Sequence, residues 1–122
     1  MAVAASHSLI FRILNNASEK NLGMEGYPAE YGIYLSIIKA NKLHKLSKGE
    51  FKFVEPSKSN KELSALHNEF NKHIKSKEEP TSLNELYDLF SKQPYGIKKG
   101  LIPILLASFY MTNEGSFALY NT

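Results

Sequence analysis

The sequence of 122 residues contains no cysteine and no tryptophan, and its single arginine is Arg12. The lack of cysteine excludes disulfide bonds, thiolate zinc sites and cysteine nucleophiles. The longest apolar run, Leu101–Met111, is too short to span a membrane and is interrupted by Pro103 and Ser108. No basic residue precedes the apolar N-terminal stretch, as a signal peptide would require. We therefore expect a cytoplasmic protein with no membrane segment.

The residues that are present are those of a globular chain. Hydrophobic residues make up 43% and charged residues 22% of the sequence, and there are seven tyrosines and seven phenylalanines. This composition is too rich in core-forming side chains for a disordered chain, and the length suffices for one hydrophobic core. No repeat or long linker divides it. We expect residues 1–122 to form a single helical domain, either complete or a fragment of a larger protein.

Apolar periodicity predicts three helices in the first part of the chain. The first ends near Asn16. The second runs from Pro28 to Ala40, with Asn41 as a left-handed cap. The third follows a capping box at Ser59–Glu62 and continues to about Ser76.

Two further helices are predicted in the second part. The fourth covers Leu83–Ser91, after a second capping box that begins at Ser82. The fifth begins near Lys98 or Lys99 and tolerates Pro103 only in its first turn. Its apolar residues surround the helix axis, which predicts a central position in the core.

Strand signals are confined to two short segments, Phe51–Val54 and Phe117–Tyr120, which we expect to pair. The predicted fold is thus mainly α, with about five helices and a small two-stranded β element. The order of elements over about 82–122 is winged-helix-like. The fifth helix lacks the polar face that reads DNA bases, so we expect a packing role for it.

The net charge of +3 is unevenly distributed, because ten lysines and only four glutamates lie between Lys39 and Lys77. Helical geometry places three lysines of the third helix opposite its apolar stripe. One interpretation is a solvated, lysine-rich surface. The other is sequence-independent binding to nucleic acid, or to an anion at the start of the fifth helix. The candidate contact residues are Lys61, Lys72, Lys75, Lys92, Tyr95, Lys98 and Lys99.

Side chains that carry catalysis show no recognisable spacing. The four histidines include no pair three or four residues apart, as metal chelation from one helix would require, and Asp88 is the sole aspartate. The glycines form neither a phosphate-binding loop nor a dinucleotide-binding motif. Seven tyrosines invite base stacking, but only Tyr95 lies among lysines, at Lys92, Lys98 and Lys99. We expect no enzyme activity, no metal and no cofactor.

Two stretches of the sequence, Pro28–Ala40 and Pro94–Ala107, are similar to a known protein family. They resemble an internal region of large multidomain prokaryotic P-loop ATP-binding proteins, some of them similar to ATPases of restriction or phage-defence systems. The resemblance implies a non-catalytic module that is either excised from such a protein or small and stand-alone. The ATP-binding loop itself is absent from this sequence, so the resemblance assigns no ATPase residues here.

The leading hypothesis is therefore a non-catalytic helical interaction or scaffold module, associated with a larger ATP-binding protein of the defence type. Its partners would be other domains of that protein or a separate protein. The alternative is a nucleic-acid-binding module that uses the lysine face of the third helix.

Overall fold

The computed structural model describes residues 3–75, 83–93 and 95–112. Within these ranges the protein contains five α-helices and one two-stranded antiparallel sheet, which confirms the predicted mainly helical fold. A short 3-10 segment, Lys20–Gly23, follows the first helix, and the second helix continues as a π-helical turn, Tyr34–Lys39. The elements are α1 (Val3–Asn15), α2 (Ala29–Ile33), β1 (His44–Ser47), β2 (Glu50–Phe53), α3 (Lys61–Lys75), α4 (Leu83–Ser91) and α5 (Ile102–Thr112).

Helix α5 occupies the centre of the fold, as its all-round apolar sequence predicts. It packs against α1, α4 and β2. Its buried hydroxyl, on Ser108, donates to the carbonyl of Ile104 at 3.0 Å, so this polar group is satisfied inside the helix. Pro103 lies in the first turn, as predicted. The helix begins later than predicted, because the carbonyls of Lys98 and Lys99 accept hydrogen bonds within a preceding turn.

Aromatic rings join α3, α4 and α5. The ring of Phe109 on α5 is fully buried, and its centroid lies 5.7 Å from that of Phe70 and 5.9 Å from that of Phe90. The imidazole of His67 packs on the same phenylalanine at 4.8 Å. These three helices therefore share one aromatic cluster, within an apolar core that extends back to α1.

The C-terminal end of the second helical segment is a Schellman motif. The N–H of Leu43 donates to the carbonyl of Ile38, and the N–H of Lys42 donates to that of Lys39. The apolar pair that accompanies such a motif is present, because Ile38 and Leu43 are both buried. The left-handed residue is Lys42, with φ 57°, so the prediction of Asn41 in this place is wrong by one residue.

The sheet is a β-hairpin of sequence neighbours. Lys48 and Gly49 form its two-residue loop with φ of 52° and 85°, as a type I′ turn requires. The predicted strand at Phe51–Val54 exists as β2, but its partner in the structure is β1, a segment that the sequence led us to treat as a connector. The other predicted strand, Phe117–Tyr120, lies outside the described residues, as does the rest of the winged-helix-like portion beyond residue 112.

Helix α3 is capped by a different residue from the one predicted. The side-chain oxygen of Asn60 accepts from the N–H of Leu63 at 3.4 Å, which is the N-cap interaction. The hydroxyl of Ser59 instead interacts with that of Ser57 at 2.8 Å, so the predicted capping box is wrong. The second predicted box begins at Ser82, outside the described residues.

Candidate functional site

An open groove runs along one flank of α2 and its π-helical continuation. The opposite wall is the segment that leads into α5. The first half of the groove has a volume of about 590 Å³. It is lined by Ala29, Gly32, Ile33, Ser36, Ile37, Lys98, Gly100 and Leu101.

A smaller cavity of about 220 Å³ continues this groove, because both are lined by Ile37 and Leu101. This second half reaches Asn41 and the beginning of α3. Lys98 lies in the first half and Glu62 in the second, and both side chains are exposed. The groove therefore has apolar walls and opposite charges in its two halves. We call it the α2 groove.

The packing of the fold does not explain why residue 32, in the lining of the α2 groove, is a glycine. A glycine inside a helix is less favourable than alanine by about 1 kcal/mol. Such a residue is accounted for when a neighbour leaves no room for a side chain, but a Cβ atom added at Gly32 would meet nothing within 4 Å. Gly32 is exposed, and nothing in the packing around it requires the absence of a side chain.

The helix that lines the α2 groove is irregular. The N–H of Ala40 donates to the carbonyl of Leu35 at 3.0 Å, a spacing of five residues that defines the π-helical turn. Such turns are rare and frequently occur at functional sites. Ser36 and Ile37, which line the groove, belong to this turn.

Helix α1 exposes apolar side chains on the face opposite its buried one. Phe11 is 64% and Leu14 45% exposed, whereas Leu9 and Ile13 are fully buried. Tyr27, in the loop before α2, is 90% exposed. The sequence drew attention to Tyr95 among the tyrosines, but the most exposed tyrosine among the residues that the structure describes is Tyr27.

The predicted lysines of α3 do not form a uniform basic face. Lys61 is exposed at the start of the helix. Lys72 lies 3.4 Å from the carboxylate of Glu69, which partly neutralises its charge. Lys75 is the last residue of α3, and its side chain lies outside the described part.

The remaining predicted contacts lie around the chain segment between α4 and α5. Lys92, Lys98 and Lys99 are exposed, and Lys98 lines the α2 groove. Tyr95 is half-buried and packs against the core, so its ring is not a free platform for stacking. Lys98 and Lys99 precede α5 rather than forming its first turn, and an anion site at the start of this helix stays a prediction.

A buried polar pair, Tyr34 and His44, was not predicted from the sequence. The hydroxyl of Tyr34 lies 2.9 Å from Nδ1 of His44, and Nε2 of His44 lies 2.7 Å from the carbonyl of Ala17. A carbonyl only accepts, so Nε2 carries the proton and Nδ1 accepts from the tyrosine hydroxyl. Burial lowers the pKa of His44, against an opposing effect of the bond to Ala17. Burial, with a smaller contribution from Tyr31, raises the pKa of Tyr34 to about 12.

A second ion pair joins α1 to α2. Nε of Arg12 donates to the carboxylate of Glu30 at 3.0 Å, and its Nη1 donates to the carbonyl of Leu22 at 3.4 Å. Glu30 is buried, and the guanidinium of Arg12 is the cationic group against its carboxylate. Leu22 has φ 54° in the left-handed region, and the arginine holds this part of the loop against both helices.

Two of the other described histidines, His67 and His73, have structural contacts. His67 belongs to the aromatic cluster, and Nδ1 of His73 donates to the carbonyl of Glu69 at 2.8 Å. Over residues 3–75, 83–93 and 95–112, no three histidine, aspartate or glutamate side chains gather as a metal would need. None of the helices in these same ranges has the length and apolar character required to cross a bilayer.

The α2 groove thus has the dimensions and lining of a binding site, and it differs from the lysine face that the sequence suggested. Its signal in the sequence is Gly32 inside a helical pattern, which composition alone does not distinguish from a packing glycine. Comparisons of the chain with protein-family models, with curated proteins and with solved structures gave no match.

Proposed function

We propose that this chain is a non-catalytic interaction module that binds an amphipathic helix of a protein partner in the α2 groove. The observation that carries the proposal is the exposed Gly32 in the lining of this groove, because intramolecular packing does not explain why a glycine stands there.

The lining of the α2 groove fits a helical ligand. Ala29, Gly32 and Ser36 lie on one side of the helical segment and are small enough for another backbone to approach closely. Between them and α5, the half-buried side chains of Ile33 and Leu101 provide apolar contact. Helix-in-groove recognition uses this combination of an apolar floor and a polar rim.

The charges of the groove orient the bound segment. Lys98 in the first half attracts an acidic residue of the ligand, and Glu62 in the second half attracts a basic one. Both side chains are exposed, so they contribute mainly to orientation and specificity rather than to affinity.

The test is a selection of short displayed peptides on the purified chain, followed by affinity measurement on two variants. Gly32→Leu places the bulky side chain of a good helix former in the groove and is expected to weaken the selected peptides by at least about tenfold. Gly32→Ala adds only a methyl group, and we expect it to weaken binding by a smaller factor than Gly32→Leu. Thermal unfolding of both variants verifies that they fold.

Peptides that bind wild type and Gly32→Leu equally would place the binding surface elsewhere and overturn the proposal. A selection that yields no peptide dependent on this groove would overturn it as well. Conversely, enrichment of peptides with an acidic residue at one end and a basic residue at the other would support the proposed orientation.

We also propose that the module belongs to a larger ATP-binding protein of the defence type. The resemblance of Pro28–Ala40 and Pro94–Ala107 to such proteins supports it. The chain should bind without ATP turnover. ATP hydrolysis by the purified chain that one internal substitution abolishes would contradict a non-catalytic role.

A further inference from the structure

The β-hairpin carries a cluster of lysines that is separate from the α2 groove. Lys45 of β1 and Lys52 of β2 are directly opposite each other in the register, and both side chains are exposed. Alternation along the strands puts them on the face away from His44 and Phe53, which are buried. Two like charges in this arrangement repel each other across the ladder.

Two more lysines occupy backbone positions that disfavour them. Lys42, in the Schellman motif, and Lys48, in the hairpin loop, both have positive φ. Glycine or asparagine adopts this conformation more readily than lysine. We call Lys42, Lys45, Lys48 and Lys52 the hairpin lysines. None of the four has an ion-pair partner among the residues that the structure describes.

Each of the hairpin lysines therefore stands where the local structure disfavours it, either opposite a like charge or at a positive φ. Such local inconsistency between sequence and fold is expected where a residue serves a function. From this juxtaposition we propose that the outer face of the hairpin binds the phosphate backbone of a nucleic acid duplex. Lysine makes point-charge contacts rather than bidentate ones, so this binding is independent of base sequence.

The composition of this face favours a nucleic acid over a protein or a membrane as the partner. Besides Lys45 and Lys52 it presents Ser47 and Glu50, with no apolar residue. A protein interface needs an apolar centre and is depleted in lysine. A membrane surface would require apolar side chains on the same side as the charges, but Leu46, 59% exposed, is on the opposite face.

The structure also favours the hairpin over α3 as the basic surface. On α3 Lys72 is paired with Glu69, whereas Lys45 and Lys52 are unpaired within the described ranges. Of the ten lysines between Lys39 and Lys77, the four hairpin lysines lie within eleven consecutive residues. Part of the charge excess in the sequence thus lies at the hairpin, in addition to the lysines predicted on α3.

The experiment measures binding of the full chain to a mixed-sequence DNA duplex by fluorescence anisotropy over a range of salt concentrations. The test variant is Lys45→Thr/Lys52→Thr, and the control with the same charge loss is Lys61→Ala/Lys72→Ala on α3. Each phosphate contact contributes about 0.9 to the slope of log K against log salt. We expect the test variant to lower the slope by about 2 and the affinity at low salt by at least about tenfold, and the control to change either quantity much less.

Folding is checked in the same variants. Threonine suits a strand, and its introduction removes the repulsion, so the test variant should unfold at the same or a higher temperature than wild type. A loss of binding with no loss of thermal stability supports the proposal.

Equal losses in the test and control variants would show a diffuse charge effect and overturn the proposal. The absence of salt-dependent duplex binding would overturn it too, as would binding to phosphatidylserine vesicles or polyglutamate with none to the duplex. Gly32→Leu should leave duplex binding unchanged, which distinguishes this surface from the α2 groove.

Discussion

Lys42 adopts a left-handed backbone conformation that is unfavourable for lysine. It holds the left-handed position of the Schellman motif, where a side chain is disfavoured by about 1–2 kcal/mol. We predict that Lys42→Gly raises the free energy of unfolding by about 1 kcal/mol, measured by urea denaturation. The matched control is Lys39→Gly, in the preceding helical turn, which should lower it by about 1 kcal/mol. Equal effects of the two substitutions would contradict the assigned motif.

His44 makes the stability of the chain depend on pH. Its pKa is lower in the folded protein than the value of about 6.5 for an unfolded chain, because it is buried. The unfolded state therefore binds a proton more readily, and this contribution to stability is present above about pH 6.5 and lost as the pH falls below it.

We predict that the free energy of unfolding decreases between about pH 7.5 and about pH 5.5, and that His44→Gln reduces this decrease. Urea denaturation at the two pH values measures the difference. Because the other histidines remain in the variant, the comparison isolates His44. The same pH dependence in both proteins would show that His44 does not titrate differently on folding.

At the scale of elements, the pair Arg12–Glu30 connects α1, the following loop and α2. Removal of the arginine leaves a buried carboxylate without its partner. We predict that Arg12→Leu lowers the free energy of unfolding by about 2 kcal/mol, less than for a fully buried pair because the arginine is partly exposed.

The double variant Arg12→Leu/Glu30→Gln tests whether the pair is responsible. With the charge gone from both sides, we expect part of the lost stability to return, and a double-mutant cycle gives the coupling between the two residues. Additive effects of the two single substitutions would show that the ion pair does not connect these elements.

The sequence predicted those elements whose signals are local and strong. Helix α4 has the predicted bounds, Leu83–Ser91, because its apolar residues follow the helical period without interruption. Strand β1 was missed because the segment His44–Ser47 resembles a polar connector, and its pairing depends on a turn with lysine in place of the usual asparagine. Asn60 was missed as the cap of α3 because Ser59, three residues before Glu62, matches the capping-box pattern and Asn60 does not.

The candidate site was less predictable than the fold. The α2 groove requires the packing of α2 against the segment before α5, a contact between residues far apart in the sequence. The hairpin lysines were visible as an excess of charge, but the common face of Lys45 and Lys52 depends on a strand pairing that was not foreseen. Periodicity identifies the buried side of one helix, whereas a groove depends on two elements at once.

At the scale of the whole molecule, Phe109 connects the helices of the second half to one core. It is fully buried and lies against rings from α3 and α4. We predict that Phe109→Ala lowers the free energy of unfolding by about 3–5 kcal/mol, a large part of the stability of about 5–15 kcal/mol that is usual for a domain.

Phe11→Ala is the control for this prediction. Its side chain is 64% exposed, so its removal should change the free energy of unfolding by less than about 0.5 kcal/mol. Thermal or urea unfolding measures both variants. A similar cost for the two phenylalanines would contradict the assigned core.

The packing of α1 against α5 has a consequence for how the chain folds as it is made. Helix α1 is synthesised first, but one of the elements that pack against it, α5, is the last helix described. At about 5–20 residues per second, the ribosome needs several seconds to produce α5 after α1. During this interval the face of α1 that packs against α5 stays uncovered. The core that joins these two helices therefore closes only after nearly all of the described residues have been made.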